Sequence, residues 1–359
     1  AAGGAGGGCG THRQLVRRAL GVSTILGSVP AERLLGGSDV YMPITPMFHV
    51  HAWGMPYLAT LLGLKQVYPG RYEPERLVAL WEREQVTFSH CVPTILQMLL
   101  NAPNAQGTDF KGWKIIVGGS ALSRTLFAAA KARGIELMGA YGMSETGPLV
   151  ACAHLDDHAW AGSEDERISH RIRAGVPGPL VEVALVDERG QFLAHDGETQ
   201  GELVLRAPWL TGSYLHEPEK GAELWAGGWL HTGDVATLDR RGAIDIRDRI
   251  KDVIKSGGEW VSSLELEDLI GRHAQVREVA VVGVPDAQWG ERPVAMLVLA
   301  EDARLDAEAL KDHLQPFVDA GSLRPWAVPA QVVLVTEIPK TSVGKLDKKR
   351  IRHQVSQTL

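Results

Sequence analysis

Cysteine is scarce: Cys9, Cys91 and Cys152 are the only three in 359 residues, and their spacing forms no metal-ligand or redox pair. Nothing here demands an oxidising compartment. Cys91 and Cys152, in apolar surroundings, read as small buried hydrophobes. No apolar run approaches the ~18 residues that cross a bilayer, and no signal-peptide pattern is present, so the cytoplasm is the expected location. Long Lys/Arg blocks are lacking too, and a net charge of −6 offers no general attraction to nucleic acid. One basic group (Lys345, Lys348, Lys349, Arg350, Arg352) is local, and reads either as a solvated helix face or as part of a site. The first ten residues, AAGGAGGGCG, lack both core-forming side chains and helix signals. They read as a linker, a scar or unrecorded sequence, outside the fold.

What is present is ordinary for a globular chain, with 45% hydrophobic and 22% charged residues, and long enough for more than one domain. THRQLVRRAL reads as a helix. Over residues 114–141 the pattern is strand (KIIVGGS), helix (LSRTLFAAAKARG, with Ser123 able to cap and Gly134 at the stop) and strand (IELMGAY). Such alternation predicts parallel βαβ units, with ligands beyond the carboxyl ends of the strands. After about Gly175, short strands separated by Asp/Arg/Gly turns predict antiparallel structure. After Arg249, Ser262 and Glu265 stand at capping-box spacing, VREVAVVGVPD and RPVAMLVLAE read as strands, and Asp306 caps a helix over DAEALKDHLQPFVDAG. That last part is large enough to fold alone.

Several segments could carry chemistry. Gly118, Gly119 and Ser120, and the run Gly139, Ala140, Tyr141 and Gly142, fall at strand ends. Glycine would let backbone approach a flat ligand, and Tyr141 could stack on a purine; tight turns are the alternative. Ser144, Glu145 and Thr146 place an acid between two hydroxyls. That suits a Mg²⁺ bridging phosphate oxygens, or else a capped turn. Asp234 lies in a Gly turn and could accept from a vicinal diol, with Arg249 and Lys251 further on, followed by Gly257 and Gly258. Lys345 follows a glycine in a Pro- and Ser-containing loop, where it could deliver a cation to developing charge. His49, His51, Trp53, Met55 and Tyr57 form a cluster able to border an acyl chain; Trp53 is the member singled out.

Taken together and in order, YGMSET, GELVLR, WLHTGD, DRIKDVIKSGGEWVSSLELE and PKTSVGKLDKKR resemble the AMP-forming acyl-CoA synthetase and adenylating-enzyme superfamily. The resemblance runs from Thr11 to the C-terminus. PMFHVHAWGMPYLATLLGLKQVYPGRYEPE and VTFSHCVPTILQMLL are most similar to bacterial medium-chain fatty acid–CoA ligases, and ligases for short thioether acids share much of this segment. The implied fold is α/β: a large N-terminal domain of mixed and parallel sheets with helices plus an antiparallel β subdomain, and a small C-terminal α+β domain. The resemblance implies that an N-terminal part of the large domain is missing here. Expected boundaries are 1–10 for the unassigned stretch, 11–249 for the ATP- and acid-binding domain and 250–359 for the mobile domain.

The resemblance also implies roles. Tyr141 stacks on adenine, with Gly118, Gly119 and Ser120 along its edge and Gly139, Ala140, Gly142 and Thr146 in the same nucleotide site. Ser144 touches the α-phosphate, Glu145 binds Mg²⁺, and Asp234 holds the ribose with Arg249 beside it. Lys251 is the hinge, Lys345 supplies the adenylation cation, Gly257 and Gly258 line the CoA path, His49 sits near acid and CoA, and Trp53 borders the acyl pocket. The implied reaction joins a carboxylic (fatty) acid to CoA at the expense of ATP. Cofactors are ATP, Mg²⁺ and CoA, with no nucleic acid partner; peripheral membrane contact and a homodimer stay open. One departure stands out: relatives carry a Ser/Thr/Gly-rich phosphate loop with a lysine where AAGGAGGGCG stands. A truncated nucleotide- or acyl-binding remnant, or an adenylating enzyme serving a carrier protein, is therefore the alternative.

Overall fold

The computed structural model describes residues 8–27, 34–155, 157–341 and 344–358. The chain divides into two compact units. One comprises the residues up to Thr232 with Ala236–Ile246, and the other Gly233–Val235 with Arg247 onward.

In the first unit, strand β1 (Gly8–Cys9) precedes the helix His12–Gly27. A seven-stranded sheet follows, built from β2 (Val40–Pro43), β3 (Lys65–Gln66), β4 (Phe88–Cys91), β5 (Lys114–Val117), β6 (Glu136–Tyr141), β7 (Ala151–Cys152) and β8 (Val176–Pro177), in the order β3-β2-β4-β5-β6-β7-β8. Pairing is parallel from β3 through β6 and antiparallel at β6–β7 and β7–β8. The sheet is buried on both faces, as a parallel sheet requires. Ile115, Val117 and Leu137 enter one core with Met42 and Trp113; Ile116 and Met138 enter the other with Tyr41 and Phe88. The strand–helix–strand expectation for 114–141 holds: Ser123 Oγ accepts from the Leu126 amide at 3.2 Å at the start of the helix Arg124–Lys131, and Gly134 turns out of it at φ +78°. Burial pushes the Cys91 thiol up to about 12, in keeping with a hydrophobe rather than a nucleophile.

Strands β9 (Glu182–Val186) and β10 (Gly201–Arg206) pair antiparallel, and β11 (Ser213–Tyr214) pairs antiparallel with β1. Strands β12 (Leu230–Leu238) and β13 (Ile244–Arg249) complete a sheet ordered β13-β12-β10-β9. The pairing corrects the reading of Gly8 and Cys9 as linker: Gly8 sits opposite Tyr214 and Cys9 opposite Ser213. Residues 1–7 lie outside the described residues.

In the second unit, β14 (Ile254–Ser256), β15 (Glu259–Val261), β16 (Val276–Asp286), β17 (Gly290–Leu299) and β18 (Gln331–Leu334) form one sheet, with β18 parallel to β17. Helices Ser263–Gly271, Ala307–Asp319 and Lys348–Thr358 accompany it. Ser262 and Asp306 cap the first two by accepting from Glu265 and Ala309 amides. The basic group near the C-terminus is not simply a solvated face. The Lys348 ammonium is tucked against Glu267, Ser263 Oγ (3.1 Å) and the Val281 carbonyl (2.6 Å), and Arg352 reaches Asp252 at 2.6 Å. These satisfied inward cations offset their own desolvation.

Candidate active site

The turn after β6 is the centre of the first unit's polar chemistry. Ser144–Thr146 form a 3₁₀ turn, the carboxyl-end position that an open α/β sheet reserves for ligands. Each of the three side chains does something different. Thr146 is fully buried; its hydroxyl accepts from the Met143 amide at 2.8 Å and donates to the Pro148 carbonyl at 2.7 Å. The hydroxyl of Thr146, a residue expected in the nucleotide site, is engaged in shaping the turn. Ser144 is exposed. Glu145 is half-buried; one carboxylate oxygen accepts from the Tyr214 hydroxyl at 2.6 Å, and its main-chain carbonyl accepts from the Thr211 amide at 2.8 Å.

Tyr214 escaped sequence reasoning, although an aromatic in GSYLHEPE was its signal. Burial and the neighbouring Glu145 raise its pKa, so the phenol remains a donor at working pH. The β1–β11 ribbon holds it, and Thr211 Oγ1 ties that ribbon down by donating to the Cys9 carbonyl at 2.7 Å. Gln14, in the first turn of the following helix, donates to the Leu210 carbonyl at 2.6 Å.

At the strand ends two of the glycines are tight against the protein's own backbone, as the tight-turn alternative has it. A Cβ at Gly139 would stand 2.2 Å from the Arg173 carbonyl oxygen, and one at Gly142 would overlap the Pro148 carbonyl oxygen. Protein backbone by itself demands glycine there. Gly118 is crowded by the Ala140 carbonyl oxygen and by the Trp53 ring, at 2.8 and 3.3 Å from a built Cβ. Gly119 has φ +80°, and Ser120 is exposed. Tyr141 is half-buried and packs on the core shared by Val150 and Leu205. Thus Gly118, Gly119, Ala140 and Tyr141 stand at adjacent strand ends, one short turn from Glu145.

Upstream, His49 is half-buried at the head of an unusual turn. Val50, His51, Ala52 and Trp53 all take left-handed φ values, +50°, +53°, +47° and +57°. Such a conformation costs L-residues roughly 1–2 kcal/mol each, so the surroundings must impose it. Trp53 is buried, its ring 5.0 Å from that of His90. His90, missed in the sequence, is fully buried between the Tyr41 hydroxyl at 2.8 Å and Thr45 Oγ1 at 3.0 Å, and burial pulls its pKa down to about 3. His51 is exposed and meets the Tyr57 hydroxyl at 3.2 Å.

The second unit gathers Asp234, Arg249 and Lys345. Arg249 Nε lies 3.6 Å from Asp234 Oδ1. Burial first, and then the like charge of Arg249, bring the Lys345 ammonium down to about 8, with Asp234 opposing. Lys345 leaves a tight loop in which the Thr341 amide donates to its carbonyl at 2.7 Å and Gly344 has φ +80°. Lys251 is exposed in the turn after β13, which is closed by the Asp252 and Val253 amides on the Arg249 carbonyl; its own carbonyl accepts from Arg352. Gly257 and Gly258 are exposed with left-handed φ, and the exposed Trp289 ring lies 3.1 Å from a built Cβ at Gly257.

Comparison with known proteins follows the same lines. Residues 7–215 match the AMP-binding enzyme family, and residues 265–345 match the AMP-binding enzyme C-terminal domain. The chain belongs to the AMP-binding enzyme family. It is 40% identical over 347 residues to a long-chain-fatty-acid–CoA ligase of Thermus thermophilus, covering 96% of this chain and 62% of that protein. It is also 40% identical over 327 residues to a 3-methylmercaptopropionyl-CoA ligase of Ruegeria pomeroyi, covering 89% and 59%. Among solved structures, the amide bond synthetase McbA from Marinactinospora thermotolerans superimposes with a TM-score of 0.83 at 28% identity, covering 98% of this chain and 66% of that one. The chain thus spans about six tenths of the length of the curated relatives it matches. Within this AMP-binding chain the large α/β part with its antiparallel β subdomain and the small α+β part follow the family fold. Among the described residues no helix is long and apolar enough to cross a membrane, and no group of three His, Cys, Asp or Glu side chains forms a metal cluster.

Proposed function

We propose that this chain provides the nucleotide- and acid-handling machinery of an acid–CoA ligase acting on medium-chain fatty acids. Acid, ATP and CoA would give acyl-CoA, AMP and pyrophosphate through an acyl adenylate. The observation that carries the reading is Glu145, oriented by Tyr214 and presented beside the exposed Ser144 just past the end of β6. A single carboxylate suits Mg²⁺, which takes few protein ligands and keeps phosphate oxygens and waters. The second Glu145 oxygen accepts no hydrogen bond among the described residues. When bound, Mg²⁺ would neutralise charge on the phosphate oxygens.

The remaining roles are carried by this chain's own groups. A carboxylate is a poor acylating agent because oxide is a poor leaving group; its attack on the α-phosphorus of ATP, with loss of pyrophosphate, would convert it to a mixed anhydride from which the CoA thiol would displace AMP. Ser144 would donate to the α-phosphate, Tyr141 would face adenine along Gly118, Gly119 and Ser120, and Asp234 would take the ribose hydroxyls with Arg249 beside it. Lys345 would place its cation on the charge that develops as pyrophosphate departs. Lys251 would be the pivot between half-reactions, Gly257 and Gly258 would line the pantetheine path, His49 would stand near acid and thiol, and Trp53 would border the acyl chain. The test is pyrophosphate release from ATP across acids from acetate to palmitate, then thioester formation on adding CoA. Nucleotide binding without release for every acid would defeat the proposal.

A further inference from the structure

Lys251, the pivot of the ligase reading, is held differently on its two sides. Before it, the Ile250 amide donates to the Gly233 carbonyl of β12 at 2.9 Å. After it, Arg352 donates to the Lys251 carbonyl at 3.1 Å and to Asp252 Oδ1 at 2.6 Å. The helix that carries Arg352 is itself anchored. Ile351 and Val355 are fully buried, and Lys348, one turn earlier, is tied to Ser263 and Glu267. The peptide after Lys251 therefore goes with the C-terminal helix, and the peptide before Ile250 goes with β12. A turn between them falls on the backbone torsions of Ile250 and Lys251.

A second set of hydrogen bonds crosses this pivot. The Asp252 and Val253 amides both donate to the Arg249 carbonyl at 2.8 Å. Ser262 Oγ donates to the Arg247 carbonyl, and the Ser263 amide donates to Asp248 Oδ2 at 2.7 Å. Asp248 is only 2% exposed, and its other oxygen accepts from the Arg249 amide at 2.8 Å. Burial pushes its pKa up, while hydrogen bonding to Ser263 and the Lys348 charge oppose that. The carboxylate stands at the first amide of the helix Ser263–Gly271, where the helix dipole favours negative charge. Each bond of this set joins a residue before Lys251 to one after it, so a large turn at Lys251 would break it. The closed arrangement also brings the Lys345 ammonium within reach of the charges of Asp234 and Arg249. On the ligase reading, that is the adenylating arrangement.

We infer that Asp248, with Ser262 beside it, is a positioning residue that holds the adenylating arrangement closed by bonding the far side of the pivot. This rests on the ligase reading above, with Lys251 as its pivot. The bonds exist in one arrangement only, and a contact shifts an equilibrium by its difference between the two states. Asp248 therefore weights adenylation against thioester formation. A hydrogen bond to a charged group sets that weight at about 10- to 100-fold.

The experiment uses the full chain and its Asp248→Ala, Asp248→Asn and Ser262→Gly variants. Adenylation is read as octanoate-dependent pyrophosphate release, and thioester formation as CoA-dependent consumption of octanoyl adenylate supplied ready-made. The state of the turn is read, without any activity, as the rate of tryptic cleavage after Lys251 well below the unfolding temperature. Asp248→Ala is expected to lower adenylation about tenfold or more relative to thioester formation, and to speed cleavage after Lys251 by a similar factor. Asn can still accept from the Ser263 amide and should retain part of both. Ser262→Gly loses the hydroxyl that reaches Arg247 at little expense to the helix cap. It should shift the ratio the same way, and it carries the test if Asp248→Ala does not fold. If wild type activates no acid but cleavage after Lys251 still rises in the Ala or Gly variant, the ligase reading falls and the hold of Asp248 and Ser262 on the turn stands. If the folded variants slow both half-reactions alike, or leave cleavage after Lys251 unchanged, the assignment is overturned.

Discussion

Replacing Tyr214 with Phe deletes one oxygen and nothing else. That oxygen donates a 2.6 Å hydrogen bond to a half-buried carboxylate, the short charge-assisted kind. Bonds of this class are worth about 1.5–3 kcal/mol, or about 10- to 100-fold in an equilibrium. Glu145 keeps its main-chain tether to Thr211, so the turn should survive while its side chain loses its fixed direction. A group that orients a metal-binding carboxylate typically costs about 10- to 100-fold in metal affinity or activity when removed. Tyr214→Phe is therefore expected to raise the half-saturating Mg²⁺ for acid-dependent pyrophosphate release about tenfold or more. The loss in global stability should stay near 1 kcal/mol. Because burial and Glu145 keep the phenol protonated, the wild-type advantage should not vary across neutral pH. The assay is a Mg²⁺ titration of pyrophosphate release, paired with thermal unfolding. An unchanged Mg²⁺ dependence in a folded variant would refute the argument that Tyr214 serves Glu145.

Three further outcomes are expected. Lys345→Ala should lower adenylation by about 100- to 1,000-fold with nucleotide binding retained, and in wild type the adenylation rate should fall as pH rises through about 8, where the ammonium is lost; a pH–rate profile flat beyond pH 9 would contradict this. Thr146→Ala should cost about 1–3 kcal/mol in thermal unfolding, because a buried amide and carbonyl lose their partner, whereas Ser144→Ala should leave stability within about 0.5 kcal/mol and weaken ATP binding. His90 stays neutral when folded but protonates when unfolded, so stability should drop by about 1.4 kcal/mol per pH unit on acidification from 6.5 towards 3. Urea denaturation of His90→Gln, which retains hydrogen-bonding groups but cannot titrate, should show a flatter acid limb.

Local signals explain how much of this was readable. The unit over 114–141 could be placed because its apolar runs, Ser123 cap and Gly134 stop all act within a few residues of themselves. The capping residues Ser262 and Asp306 were legible for the same reason. Glu145 stood out as an acid in a glycine-flanked turn. What acts across the chain was not legible. Nothing near Tyr214 announces a carboxylate 69 residues earlier, and nothing near Lys348 announces Glu267. Glycine left a flat ligand and a tight turn both open, and at Gly139 and Gly142 the close neighbour is the protein's own carbonyl. Composition could not reveal that VHAW turns left-handed either, because each of its residues ordinarily avoids that region.

The central claim is chemical: the acid's own oxygen attacks the α-phosphorus of ATP at the turn that carries Glu145. Supplying acid labelled with ¹⁸O in the carboxylate tests it directly. One labelled oxygen should appear in AMP, in amounts matching the acyl product. Label in inorganic phosphate, or AMP formed without label, would contradict the account.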